Sequence, residues 1–313
     1  MSFCSFANRS TNARPHTWML ASSRPAACAR CNATSPFVVF YSWHKTGTVF
    51  SEGVAEALLK GMCGYTVQPV WSMADGNQPA HACSAYLATV GVGLVDWTRQ
   101  EMWMASRALD VQTVLFLREP FEIAASFYTY HLAGEECKSD PQNRQMWKMA
   151  YCNRIARDMD ARAGMIETAR IMMHTQLPDM LRTVRRYHCH ANALTIRMEG
   201  LRFDFDQTVH ALLRFLRIPD AQHSTSIQEL VRLDPARSQT LARDAHVSST
   251  STRLSRFPAR FNGSDMSKAH LIGVLTTDRQ MCPALANYTY LLGYAGGLEE
   301  ALATRCGCTT ALQ

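Results

Sequence analysis

Phe37-Val38-Val39-Phe40-Tyr41-Ser42-Trp43-His44-Lys45-Thr46-Gly47-Thr48 is an apolar run that ends in a basic, hydroxyl-rich turn containing a glycine. Its β-branched and aromatic residues suit a buried strand of a parallel sheet, and the segment from Val49 to Lys60 has helical period. Phe50, Val54, Ala57 and Leu58 share one face of that helix, Glu52, Glu56 and Lys60 point elsewhere, and Gly61 is a plausible stop. A strand, a short turn and a helix present unpaired backbone N–H groups at the positive end of the helix, where an anionic oxygen is held without any special side chain. Lys45 adds a mobile full charge, Gly47 allows close approach of the backbone, and the hydroxyls of Thr46 and Thr48 can donate further hydrogen bonds. The plainer alternative is an ordinary strand-to-helix turn with an exposed lysine.

A second element repeats the order. Val111 to Leu117 is another apolar run, and it ends in Arg118-Glu119-Pro120 before a helical stretch from Phe121 to His131. Pro120 fits the first helical position, where its missing N–H costs nothing. Arg118 then stands at a strand's carboxyl end and Ser126 about two turns into the helix, near the crevice where open parallel sheets bind ligands. An arginine fork beside a hydroxyl suits a second phosphate, well separated from the first.

Together these residues resemble sulfotransferases that use 3′-phosphoadenylyl sulfate (PAPS). Lys45-Thr46-Gly47-Thr48 is similar to the 5′-phosphosulfate loop of that family, and Arg118-Glu119-Pro120 with Ser126 to its 3′-phosphate site. A third stretch, Ala193 to Leu201 followed by the amphipathic segment Asp206 to Ile218, resembles the strand, acidic turn and helix that come next in family order. The likeness runs from Phe37 to Ile218. It implies an α/β fold of P-loop-like architecture, with a central parallel sheet flanked by helices and the donor at the strand carboxyl ends. Trp43-His44 stands where many cytosolic members carry tyrosine-proline, and His44-Lys45-Thr46 looks closer to Golgi carbohydrate and glycolipid members. Met198 replaces the tyrosine that often contacts the adenine, so base stacking must come from elsewhere, Trp43 and Trp97 being the candidates. The nearest analogue of the family's late basic loop is Arg253, Arg256 and Arg260, for which a solvated basic loop is an equal reading.

The resemblance implies an in-line attack of an acceptor hydroxyl or amine on sulfur, with the nucleotide as leaving group. Charge management dominates such chemistry, and Lys45 with the backbone from Thr46 to Val49 would carry it. Arg118, Ser126 and Arg256 would hold the rest of the nucleotide. For the general base the candidates are His81, between the two phosphate sites, then Glu52, His44 and Glu56; a histidine has the right unperturbed pKa. Two rivals stand beside this reading. A phosphoryl-transfer enzyme shares the strand-turn-helix, although the full G-x-x-x-x-G-K-[ST] loop is absent from the sequence. A catalytically silent nucleotide-binding protein would keep the fold alone.

Composition bounds these choices. With 313 residues, 47% hydrophobic and 19% charged, the chain can bury a large core. A net charge of +6 favours anionic ligands, but no basic cluster alternates with aromatics, so nucleic acid is not expected. Residues 1–35 read as a loose, cysteine-bearing arm with neither a signal peptide nor a membrane span, 36–300 as one α/β domain with helical insertions, and 301–313 as a tail. Cys63 to Arg107 suggests a further strand and loops lining an acceptor cleft. Asn143 to His188 suggests one or two long helices with a methionine-rich core stripe. Eleven cysteines and four N-x-[ST] sequons among only nine asparagines favour a Golgi or other secretory-lumen enzyme, with a cytoplasmic location as the alternative, and the Golgi-like loop of the resemblance together with the sequons implies a glycan or glycoconjugate acceptor over a small phenol or amine. No metal is expected. Cys28-Ala-Arg-Cys31 with Cys306-Gly-Cys308 would give four thiolates for zinc, but the second pair is tightly spaced.

Overall fold

All seven residues of the first strand, β1 (Phe37–Trp43), are buried, so both of its faces are covered. The computed structural model describes residues 37–43, 45–69, 84–90, 111–132, 146–188, 190–231 and 267–307. Four more strands join β1 in one sheet: β2 (Thr66–Pro69), β3 (Ser84–Val90), β4 (Val111–Leu117) and β5 (Ala193–Arg197). The order is β2-β3-β1-β4-β5, and every pairing is parallel. β1 therefore lies at the centre, with Val38 opposite Ala85 on one side and Phe37 opposite Val111 on the other.

The pleat sorts β1 into two cores, because successive side chains point to opposite faces. Val38 and Phe40 pack with Val114 and Phe116 of β4 beneath helix α1 (Thr48–Val54) and its π-helical continuation, Ala55–Met62. Phe50, Val54 and Leu58 supply that helix's apolar stripe. The acidic turn expected after β5 is instead a short helix, α6 (Met198–Phe203), followed by α7 (Phe205–Phe215) and α8 (His223–Leu230), and these complete the layer through Leu201, Val209, Leu212 and Leu230.

Phe37, Val39, Tyr41 and Trp43 face the other way, with Leu115 and Leu117. Their cover is α2 (Pro120–Leu132), α3 (Met146–Arg157), α4 (Ala161–His174), α5 (Gln176–Tyr187), α9 (Lys268–Thr277) and α10 (Met281–Leu291). The α/β class with a central parallel sheet flanked by helices is thus what the chain adopts. Asn143 to His188 holds three helices rather than one or two. Asp160 caps the start of α4, its side chain accepting the Ala163 N–H at 2.7 Å, and the backbone turns out of helical geometry again at Thr175. Met165, Met172 and Met180 are fully buried, so the methionine stripe is core. Gly61 does not stop the first helix, which runs to Met62; the left-handed residue is Gly64, at φ 72°.

A last helix, α11 (Leu298–Cys306), is bonded to α10 by a disulfide between Cys282 and Cys306. The expected tail boundary at 301 falls inside this helix, and Ala301 is buried. The same bond removes Cys306 from the four-thiolate zinc reading. Cys63 and Cys152 are half-cystines as well. Among the described residues no helix is long and apolar enough to cross a membrane.

Candidate functional site

β1 and β4 are neighbours, yet the helices that follow them leave to opposite faces: α1 joins the Val38 core and α2 the Phe37 core. That divergence opens a crevice at the strands' carboxyl ends, the place where open α/β sheets bind ligands. Both anion-binding elements read from the sequence end there.

The first element is the turn after β1. Lys45 has φ 66° and Gly47 φ 121°, so the chain twice enters the left-handed region within three residues. Gly47 is required on a second count, since a Cβ there would stand 2.6 Å from Met198 Sδ. Thr46 is fully buried and locks the turn from inside. Its hydroxyl accepts the Trp43 N–H at 2.7 Å and donates to the Trp43 carbonyl at 3.0 Å, and its own N–H donates to that carbonyl at 2.9 Å. The expectation that Thr46 offers donors to a ligand is corrected accordingly: both its N–H and its hydroxyl are spent on the turn. Thr48 differs. It is half-buried, and its hydroxyl bonds only the Ser42 hydroxyl, at 3.2 Å. The first bond of α1 is donated by Ser51 to the Gly47 carbonyl, and no side chain caps the helix. The N–H groups from Gly47 through Val49 to Phe50 therefore precede the intrahelical ladder.

The second element is the turn after β4. The Arg118 guanidinium, half-buried, reaches across to β1's turn and donates to the Lys45 carbonyl at 3.2 Å. Its other arm donates to Glu122 at 3.1 Å, on the first turn of α2. Among the described residues two of its five N–H donors have partners. Ser126 lies one turn beyond Glu122 and Tyr130 one turn further, both half-buried on that side of α2. The Lys45 ammonium sits 2.7 Å from the centre of the Tyr130 ring, a cation–π contact that draws the lysine toward the same helix face. Lys45, Arg118 and Ser126 are thus gathered on one side of the molecule, around one helix face.

Behind this surface is an acidic core that the sequence reading did not foresee. Glu119 is buried and caps α2, accepting the Glu122 N–H at 3.0 Å. Its other oxygen accepts the Thr289 hydroxyl at 3.1 Å and lies 3.5 Å from Arg305. The Glu119 N–H donates in turn to Glu199 at 3.0 Å. Burial pushes the Glu119 carboxyl up to about 7, with a smaller upward push from Glu199, against the lowering effects of Arg305 and the Thr289 bond. Tyr294 is half-buried, with its hydroxyl shielded from water beside Glu199, and that hydroxyl is held well above its ordinary range by burial first and by the carboxylate second. Burial lowers the Arg118 guanidinium, while Glu199 and Tyr294 act in the opposite direction.

Among the candidate bases, Glu52 lies one turn after Thr48 on α1. It is half-buried, burial raises its carboxyl, and it has no ion-pair partner among the described residues. Glu56 is exposed and paired to Lys60 at 2.8 Å. His44, His81, Trp97 and Arg253, Arg256 and Arg260 lie outside the described residues. Trp43 cannot stack on a base: it is fully buried, and its indole N–H donates to Asp179 at 2.8 Å. The residues the sequence reading missed are Tyr130, Glu122 and Lys268, which forms an ion pair with Glu122 from the start of α9. The i, i+4 spacing of Arg118, Glu122, Ser126 and Tyr130 was the available signal for the first two. Lys268 left none, because it arrives from a distant part of the chain.

No family model matches the chain, and no curated protein does. Among solved structures it is similar to mouse sulfotransferase SULT7A1 complexed with PAP, at 13% identity and a TM-score of 0.38, over 64% of this chain and 65% of that one. A likeness of this extent adds nothing to the topology already described.

Proposed function

We propose that the chain is a sulfotransferase that moves a sulfuryl group from PAPS to an acceptor hydroxyl by in-line displacement. The observation that carries this reading is the Arg118–Lys45 hydrogen bond, because it joins two anion-binding turns across one crevice at the ends of adjacent strands. A ligand with phosphate at both ends of an adenosine fits a site with an uncapped helix start, a lysine laid over Tyr130 and an arginine fork beside a serine. When bound, PAPS supplies the activated sulfuryl group and the leaving nucleotide. The chain's own residues then bind and orient. The Gly47 to Phe50 N–H groups and the Thr48 hydroxyl receive the 5′ end, and Lys45 neutralises charge there. Arg118 and Ser126 hold the 3′-phosphate. Glu52 takes the acceptor's proton, its raised carboxyl fitting a general base, with His81 the other candidate.

The disulfide and the further half-cystines support an oxidising compartment, so we read the chain as a secretory-lumen enzyme with a glycan acceptor. Asn287, one of the four sequon asparagines, is exposed on α10. A radiolabelled sulfate-transfer screen across glycans, steroids and phenols tests the activity. Transfer lost in Lys45→Ala and in Arg118→Ala is the expected result. Nucleotide binding with no transfer to any acceptor overturns it in favour of a silent binding protein, and metal-dependent phosphoryl transfer overturns it in favour of a kinase-like enzyme.

A further inference from the structure

Arg118 and Lys268 come from elements far apart in sequence, the end of β4 and the start of α9, yet both pair with the same oxygen, Oε2 of Glu122. All three side chains are partly shielded from water, at 22%, 38% and 21% exposure for Arg118, Lys268 and Glu122. Two cations converging on one shielded anionic oxygen is the arrangement that a phosphate oxygen would require. Arg118 does not need Glu122 to hold its direction, because the Lys45 carbonyl already anchors its other arm. Lys268 senses the neighbouring cation: burial first, and Arg118 second, lower its ammonium to about 8, which leaves it mostly charged at neutral pH.

We propose that Glu122 is a resident anion occupying a phosphate-oxygen position, and that Lys268 is a second cation of the 3′-phosphate pocket beside Arg118, released to the ligand when that phosphate displaces the carboxylate. This rests on the reading of Arg118 and Ser126 as the 3′-phosphate site. Glu122 yields only to a group with enough charge to capture both cations, so part of the 3′-phosphate's binding free energy goes into displacing the carboxylate.

The test is calorimetric titration of the full chain with adenosine 3′,5′-bisphosphate and with adenosine 5′-monophosphate, which lacks the 3′ group. Glu122→Gln should bind the bisphosphate about tenfold more tightly, with no gain for the monophosphate. Lys268→Met should bind the bisphosphate about tenfold more weakly and leave the monophosphate unchanged, a readout that survives if the glutamine variant fails to fold. Weaker bisphosphate binding in a folded Glu122→Gln, or an undiminished affinity in Lys268→Met, overturns the inference and makes Glu122 a strut for Arg118. If the unaltered protein does not prefer the bisphosphate to the monophosphate at all, the underlying site assignment fails and the inference falls with it.

Discussion

The turn after β1 and the turn after β4 would grip anions by opposite means. The first is built from backbone: a left-handed lysine, a left-handed glycine and an uncapped helix start, closed from inside by the Thr46 hydroxyl. The second is built from side-chain charge, with Arg118 set among Glu119, Glu122, Glu199 and Lys268. A backbone cradle is fixed once the chain is folded and is indifferent to pH. A charge cluster can be retuned by one proton or one substitution. On the proposed function, this geometry would couple a rigid grip for the reacting end of the ligand to an adjustable grip for its far end.

Lys45→Ala should produce the largest effect on this contrast. Removing one preorganised donor from a site of this kind costs roughly 3 kcal/mol of transition-state stabilisation, about a hundredfold in rate. Lys45 packs against Tyr130 at the surface of α2 rather than in either core, so the melting temperature should hardly move. Steady-state sulfate transfer and a thermal melt together check this. A variant that keeps its activity breaks the assignment of the β1 turn to the reacting end.

Glu119→Gln probes the other turn through stability. Glu119 is protonated in the native state up to about pH 7, whereas in the unfolded chain it releases its proton near the ordinary glutamate value of 4.5. The native state holds the extra proton between those two values. Its contribution is therefore complete below pH 4.5 and declines as pH rises through 7, by about 3 kcal/mol in all. Urea melts across pH 4 to 8 should show that decline in the unaltered protein and lose it in Glu119→Gln. An unchanged slope in the variant would mean that some other group titrates. The β1 turn itself holds no acid among the described residues, and Glu52, one turn into α1, with its carboxyl raised by burial, should add only a smaller slope of the same sign.

Much of this contrast was legible in the sequence, and what was not has a physical reason. The limits of β4, the start of α2 at Pro120 and the strand-turn-helix after Phe37 follow from local pattern, because they depend on apolar runs and on proline's missing N–H. Trp43 was misjudged, although parity along the strand carried the answer: it shares a face with Phe37, Val39 and Tyr41 and is buried with them. The acidic core was out of reach. The Glu119 N–H finds Glu199 across 80 residues and Thr289 reaches Glu119 across 170, contacts made by the sheet's topology and not by spacing.

The two threonines of the first turn allow a finer dissection, with smaller effects. Thr46→Val leaves the Trp43 N–H buried without its hydroxyl acceptor, which should cost about 2 kcal/mol of folding stability. Because Thr46 has no donor left for a ligand, the affinity of whatever folded protein remains should be nearly unchanged. Thr48→Val should behave in reverse. Its hydroxyl is half-buried, and its bond to the Ser42 hydroxyl at 3.2 Å is replaceable by water, so stability should shift by less than about 1 kcal/mol. Nucleotide affinity should fall about tenfold, the worth of one hydrogen bond to a charged oxygen at the low end of its range. Paired thermal melts and nucleotide titrations separate the two variants. If Thr46→Val lost affinity and Thr48→Val lost only stability, the hydroxyl facing the ligand would be the wrong one, and the backbone grip would have to be redrawn two residues earlier.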